Sequence, residues 1–267
     1  MGDLVALREQ LAQLGRVVVA FSGGADSALL AWVANDTLGS SRALAATAVS
    51  PSLASSELSD CQALADEWGL RWQGLETDEL ANSAYVANDG DRCYHCKAEL
   101  LDTLAPLADA EGATVVLGVN LDDLGDHRPG QRAAEERGAS FPLVDAGFTK
   151  AAIREVSHAL GLRTWDKPAA ACLASRIPYG TPVTLNRLGQ VARAEEALRG
   201  LGFRQLRVRH YGDMARIELD PAELTLAVAR RDEVIAAVKA AGYTYVTLDL
   251  EGFRSGNLNS ALHEGDR

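Results

Sequence analysis

The residues Phe21-Ser22-Gly23-Gly24-Ala25-Asp26-Ser27 have the make-up of a phosphate-binding loop. Adjacent Gly23 and Gly24 let the backbone turn sharply and bring its N–H groups close to an anion. A helix opening here would add the partial positive charge of its N-terminus. Ser22 and Ser27 can donate hydroxyl hydrogen bonds to phosphate. Asp26 can cap the helix or hold Mg²⁺ beside the phosphates. The Gly-Lys-Ser/Thr of a Walker loop is absent, so this is not the common P-loop. A plain helix N-cap after a glycine turn is the bland reading of the same residues.

Sulfur is the second source of chemistry. Cys93 and Cys96 form a C-x-x-C, while Cys61 and Cys172 stand apart. In a reducing compartment this usage points to metal, cluster or sulfur chemistry, or to buried thiols. Cys61 shares a helical face with Leu64, Ala65 and Trp68, the spacing of a core stripe. Cys172 lies among small residues, with Ser175 and Arg176 following. A nearby guanidinium would favour its thiolate; a packed thiol in a linker is the alternative.

Charged residues supply the rest. Asp122, Asp126 and Arg128 follow a strand-like run, where a parallel sheet places its ligand crevice. An Asp-rich polar turn would look the same. Arg207 and Arg209 alternate along one strand and so share a face. Two guanidiniums together suit a phosphate, and Arg216, Glu218 and Arg254 could add to that pocket. A solvated charged sheet face is the competing reading.

These residues need a scaffold, and the apolar pattern supplies one. Residues 16–21 (RVVVAF), 43–49, 71–75 and 113–119 read as strands. Helical patterns cover the stripe from Leu4 to Leu14 and residues 26–38, 55–68, 97–111 and 149–160. Strands alternating with helices imply an α/β fold with a parallel sheet covered on both faces. After Pro168 the pattern changes to a helix over 185–201, a Gly212-Asp213 hairpin between strands 205–211 and 214–219, a helix over 221–240 and a strand over 243–250. The expected organisation is a domain over 1–180 and a smaller C-terminal α/β domain over 181–267, the latter for substrate binding and oligomerisation.

The chain has 267 residues, 47% hydrophobic and 24% charged, with a net charge of −11. This composition excludes disorder, collagen-like repeats and disulfide miniproteins. The acidic balance argues against a general nucleic-acid binder. Apolar runs are too short to span a bilayer, and MGDLVALREQ lacks a basic n-region before an apolar core. A cytoplasmic protein without membrane or nucleic-acid partners is expected.

The loop resembles the PP-loop of the N-type ATP pyrophosphatases, whose fold is adenine nucleotide alpha hydrolase-like. SGGADS, RCYHCK at 92–97, GVNLDDLGDHRPG at 118–130, KPAAACLASRIPYG at 167–180, RVRHYGDMARIEL at 207–219 and YVTLDLEGFRSG at 245–256 together resemble the LarE family over nearly the whole chain. LarE proteins are the sulfur insertases of nickel-pincer cofactor synthesis, the cofactor of lactate racemase maturation. The resemblance implies an ATP-dependent sulfur transferase. With MgATP it would adenylate the carboxylates of pyridinium-3,5-biscarboxylic acid mononucleotide, release pyrophosphate, and let sulfur displace AMP.

The resemblance also assigns residues. It gives Asp26, Cys172, Ser175 and Arg176 catalytic roles. It gives Ser22, Gly23, Gly24, Asp26, Ser27, Asp122, Asp126 and Arg128 to ATP, and Arg207 and Arg209 to the substrate phosphate. Glu195 and Glu218 fall near acidic positions of the family. In single-cysteine members the residue at Cys172 gives up its own sulfur and becomes dehydroalanine. Here Cys93 and Cys96 accompany it, and three thiolates can hold a [4Fe–4S] cluster with one iron open. A zinc site including His95 and a C-x-x-C that merely packs are the alternatives. The family assembles as a homohexamer. The sulfide donor is not encoded in these motifs.

Two other functions compete. A tRNA thiolase also combines a PP-loop with cysteines, but usually has a basic face and further C-x-x-C pairs. A non-catalytic nucleotide sensor would not need a reactive-looking Cys172.

Overall fold

A computed structural model describes residues 2–124, 129–168 and 171–254. In chain order the elements are α1 (Leu4–Leu14), β1 (Val17–Ala20), α2 (Ala25–Leu38), β2 (Ala43–Val49), α3 (Ser55–Trp68), β3 (Arg71–Glu76), α4 (Ser83–Ala87), α5 (Arg92–Glu111), β4 (Thr114–Leu117), α6 (Pro129–Glu136), α7 (Pro142–Asp145) and α8 (Lys150–Ala159). They continue with α9 (Leu185–Gly200), β5 (Leu206–Tyr211), β6 (Met214–Leu219), α10 (Leu224–Ala229), α11 (Arg231–Ala240) and β7 (Tyr245–Leu248). Two compact units result, Met1–Asn82 with Asp91–Ala170, and Ser83–Gly90 with Ala171–Arg267.

In the first unit the strands form a parallel sheet in the order β3-β2-β1-β4. This is the parallel α/β sheet expected from the sequence. Val17, Val18 and Val19 of β1 are buried, as befits a central strand. Val18 pairs with Leu44 on one side and Val115 on the other. Helix α2 buries Leu29, Leu30, Ala31, Val33 and Ala34 on several faces, because it lies between the sheet and the helices α1 and α8. The chain leaves β1 toward β2 and reaches β4 on β1's other side, so the strand order reverses beside β1. Ligand crevices in open α/β sheets form at such a point, outside the carboxyl ends of the strands.

In the second unit β5 and β6 pair antiparallel, with Arg207 opposite Glu218 and Arg209 opposite Arg216. Gly212, at φ +61°, turns this hairpin. Strand β7 adds to β6 in parallel. Leu198, Phe203, Val208, Ile217, Leu219 and Val238 form the core. The short segment carrying α4 belongs here through Asn88. This buried residue has φ 62° and donates through Nδ2 to the carbonyls of Pro178 and Thr181, 2.8 Å each.

Three expectations change. Helix α5 begins at Arg92, not Lys97, so the C-x-x-C lies in its first turn. The helix expected over 221–240 is interrupted at Arg230, whose φ −101° and ψ 26° separate α10 from α11. The short helices α4, α6 and α7 had no expected counterpart.

Candidate active site

The loop after β1 and the N-terminus of α2 line a cavity of about 220 Å³, together with Thr47 of β2, Lys97 of α5 and Gly118 after β4. Of the loop glycines, Gly23 is the one the backbone requires. It has φ +68°, and a Cβ there would lie 2.9 Å from Cys61 Sγ. Gly24 has φ −75° and ψ 160°, with only Ser22 Oγ within contact distance of a Cβ, at 3.5 Å. Gly118 brings β4 against α2 so closely that a Cβ would sit 2.7 Å from Ser27 N. The sequence placed Gly118 in a motif without assigning it this role.

The two loop hydroxyls bond each other, Ser22 Oγ to Ser27 Oγ at 3.0 Å, and Ser27 Oγ also accepts from Ser22 N at 3.2 Å. A network beneath the loop fixes its entry. Trp72 Nε1 donates to Thr47 Oγ1 at 2.9 Å, and Thr47 Oγ1 donates to Phe21 O at 2.7 Å. Cys61 is fully buried against this floor, as its core spacing indicated, and burial pushes its thiol up to about 11.

Asp26 is the group whose electrostatics stand out. Lys150 Nζ donates to its Oδ2 at 2.5 Å, while its Oδ1 is buried without a hydrogen-bond partner. Burial holds the carboxyl above the usual carboxylate range, against the pull of Lys150, and Asp123 adds repulsion. A buried carboxylate oxygen without a donor, among residues lining a cavity, is the ligand a hard cation such as Mg²⁺ takes. The residues present therefore fit a Mg²⁺ arriving with a nucleotide.

Asp122 is exposed and accepts from Lys150 N at 2.7 Å, so it caps the first turn of α8. Asp126 and Arg128 lie outside the described residues. Lys97 is half-buried on the cavity wall. Burial lowers its ammonium from the ordinary lysine value, opposed by the neighbouring Cys96 and Cys93. Sequence reasoning missed Lys97 and Lys150; a lysine inside a recognised motif was the available signal for the first.

Cys93 is exposed and Cys96 half-buried. Three positions apart in the first turn of α5, they share one face of the helix. Cys96 Sγ lies 3.8 Å from Glu79 Oε1. Two thiols so placed fit two ligands of one metal centre. Among the described residues no three His, Cys, Asp or Glu side chains are gathered around a common point.

In the second unit Cys172 is exposed at the start of a 3₁₀ turn, Leu173–Arg176. Arg176 is buried. Its Nε and Nη2 grip both oxygens of Glu195, at 2.8 and 3.1 Å. Its Nη1 donates to the carbonyls of Ala171 and Cys172, at 2.6 and 3.1 Å, and to Ser175 Oγ at 3.1 Å. The guanidinium therefore holds the Cys172 main chain and is not directed at the thiol, as the sequence had suggested.

Arg209 is likewise committed, bidentate to Glu218 at 3.0 and 2.8 Å and donating to Ser175 O at 2.8 Å. Glu218 is fully buried and also accepts from Arg216 at 2.9 Å. Arg207 differs. It is 7% exposed, stacks over the Phe253 ring at 4.7 Å, and forms no ion pair among the described residues. Burial and the positive charges of Arg176 and Arg209 lower it to about 10, partly offset by Glu218 and Glu195. The shared face is thus buried and charged, and of the two arginines only Arg207 has an uncommitted guanidinium.

A family model described as NAD synthase matches residues 5–92, the stretch that carries the phosphate loop. The chain is 40% identical to the pyridinium-3,5-bisthiocarboxylic acid mononucleotide synthase of Lactiplantibacillus plantarum, over 94% of this chain and 92% of that one. The chain belongs to the LarE family. It is accordingly an ATP-dependent sulfur transferase of the PP-loop type, using ATP and Mg²⁺. It is also 49% identical to an uncharacterized Synechocystis protein over 96% of both chains. An uncharacterized protein of Methanocaldococcus jannaschii is 28% identical over 90% of this chain and 91% of its own. No helix among the described residues is long and apolar enough to cross a membrane.

Proposed function

We propose that this chain makes thiocarboxylates on pyridinium-3,5-biscarboxylic acid mononucleotide, in nickel-pincer cofactor synthesis. A substrate carboxylate oxygen attacks the α-phosphorus of ATP, the α–β anhydride bond breaks, and pyrophosphate leaves. Ser22, Gly23, Gly24 and Ser27 hold the phosphates, and Asp26 holds Mg²⁺. Asp122 with Asp126 and Arg128, after β4, bound the nucleotide. A sulfur nucleophile then attacks the acyl carbon, and AMP departs with the carboxylate oxygen.

The sulfur has two candidate sources. Cys172 can attack directly; loss of its Cα proton then breaks the Cβ–S bond and leaves dehydroalanine. Alternatively, Cys93, Cys96 and Cys172 hold a [4Fe–4S] cluster, whose open iron would supply an added sulfide. Ser175, Arg176, Glu195 and Glu218 build the site around Cys172. Arg207, with Arg209 beside it on the same strand face, receives the substrate phosphate. The active form is a homohexamer in the cytoplasm.

The observation that carries the ATP chemistry is the partnerless Asp26 oxygen among residues lining the cavity. The test is anaerobic purification with iron and sulfide analysis, then incubation with MgATP and the mononucleotide. AMP, pyrophosphate and thiocarboxylate should appear together; absence of AMP would sink the proposal. A sacrificial route makes the Cys172 peptide lighter by one H₂S and stops at one sulfur per chain. A cluster route preserves Cys172, continues with added sulfide, and loses iron and repeated turnover in Cys93→Ala or Cys96→Ala.

A further inference from the structure

Glu79 is a buried carboxylate that no motif and no step above uses. It opens a 3₁₀ turn, Glu79–Ala81, packed against α5, and is 4% exposed. Its hydrogen-bond donors are all neutral. Ser52 Oγ donates to Oε1 at 3.4 Å and Thr77 Oγ1 donates to Oε2 at 3.2 Å, while Cys96 Sγ stands 3.8 Å from Oε1. Ser52 and Thr77 are themselves buried. The other buried glutamates among the described residues, Glu195 and Glu218, each pair with two arginines. Glu79 forms no ion pair among the described residues.

A buried carboxylate without a basic partner is one that a metal centre suits, since buried charges are paired or coordinate metals. The neighbour of Glu79 sharpens the point. A cysteine binds a metal as its thiolate. Cys96 in that state offers Glu79 no proton, and Oε1 faces a second anion across 3.8 Å in a place closed to water. A metal centre held by both side chains relieves that repulsion. Three thiolates leave one iron of a [4Fe–4S] cluster without a cysteine. A carboxylate is a hard ligand, and the softer sulfide competes well against it at such a cluster.

We propose that Glu79 is the exchangeable ligand of that iron. Its carboxylate binds the iron that no cysteine takes, and hydrosulfide displaces it when sulfur is loaded. One anionic ligand replaces another, and no electron is transferred. The released carboxylate returns to the Ser52 and Thr77 hydroxyls that hold it in this structure. The inference rests on reading the C-x-x-C as part of a [4Fe–4S] site. Glu79 would thus keep the iron from being lost between sulfur deliveries and set how much sulfide is needed to load it.

The test uses the full chain, reconstituted anaerobically with iron and sulfide and then freed of excess sulfide. Glu79→Gln keeps the shape and the hydroxyl contacts and removes the anionic ligand. Sulfide binding is followed by electron paramagnetic resonance of the reduced cluster. A ligand that must first leave lowers apparent affinity by the fraction of sites it leaves open, so sulfide should bind roughly 10-fold more tightly to the variant. Affinity within twofold of wild type would overturn the proposal. Infrared difference spectra of the wild type, before and after added sulfide, avoid dependence on the variant's folding. A carboxylate stretch should shift as the oxygen leaves iron. A cluster that binds sulfide with no carboxylate change would overturn the role of Glu79 alone, whereas a wild-type chain that takes up no iron would end the cluster reading and this one with it.

Discussion

The sulfur of Cys61 fills the space that any side chain at Gly23 would need. The separation from an added Cβ would be 2.9 Å, and the backbone there is at φ +68°. The phosphate loop thus rests on a core cysteine, and the loop's shape is set as much from below as by its own glycines.

Gly23→Ala should therefore damage the loop before any nucleotide is present. A left-handed alanine and a clash with a packed sulfur together cost about 1–3 kcal/mol. Thermal unfolding should show that loss, and AMP formation should fall at least tenfold. Gly24→Ala should leave the melting temperature unchanged, because its Cβ meets only Ser22 Oγ at 3.5 Å. Any effect of Gly24→Ala should appear in the KM for ATP. Equal loss of stability in both variants would contradict the different roles of the two glycines.

Cys61 should also mark the alkaline limit of the fold. A thiol raised to about 11 by burial stays protonated in the folded chain where an unfolded one ionises. The folded state then binds more protons than the unfolded state, so stability falls as pH rises. The contribution is fully present below about pH 9 and is lost between about 9 and 11. It amounts to on the order of 2 kcal/mol. Melting temperature followed across that range should decline more steeply in wild type than in Cys61→Ala. At pH 8.5, iodoacetamide should label Cys93, Cys96 and Cys172 before Cys61.

Arg207 and Arg209 should separate in their phenotypes. Arg207→Ala should weaken binding of the mononucleotide by roughly 10- to 100-fold and spare the fold, since no carboxylate partner is abandoned. Arg209→Ala strips Glu218 of a bidentate partner in a fully buried setting, and breaking such a pair costs about 3–5 kcal/mol. Calorimetric binding and thermal denaturation on both variants check this. Undiminished mononucleotide affinity in Arg207→Ala would remove it from the substrate site.

The sequence made part of this legible. The run RVVVAF before SGGADS fixed β1, its loop and α2, because a buried strand and a glycine turn are local signals. The shared face of Arg207 and Arg209 followed from strand alternation alone. Their partners did not. Glu195 lies in a helix and Glu218 on the neighbouring strand, and only folding brings them to Arg176 and Arg209. Lys150 was invisible for the same reason, since its partner Asp26 is 124 residues away. The start of α5 was missed because its apolar stripe begins only after Lys97; Asp91 is of a type that favours the N-cap, but no side-chain cap bond forms there.

The grip of Arg176 on the carbonyls of Ala171 and Cys172 bears on what happens after the reaction. These bonds reach the main chain and make no use of the sulfur. If Cys172 surrenders its sulfur, the peptide around it keeps every anchor it had. An exhausted molecule would remain as well folded as a fresh one and would present no loosened segment to a protease. Cells relying on the sacrificial route would then accumulate inert copies that differ from active ones by a single sulfur atom.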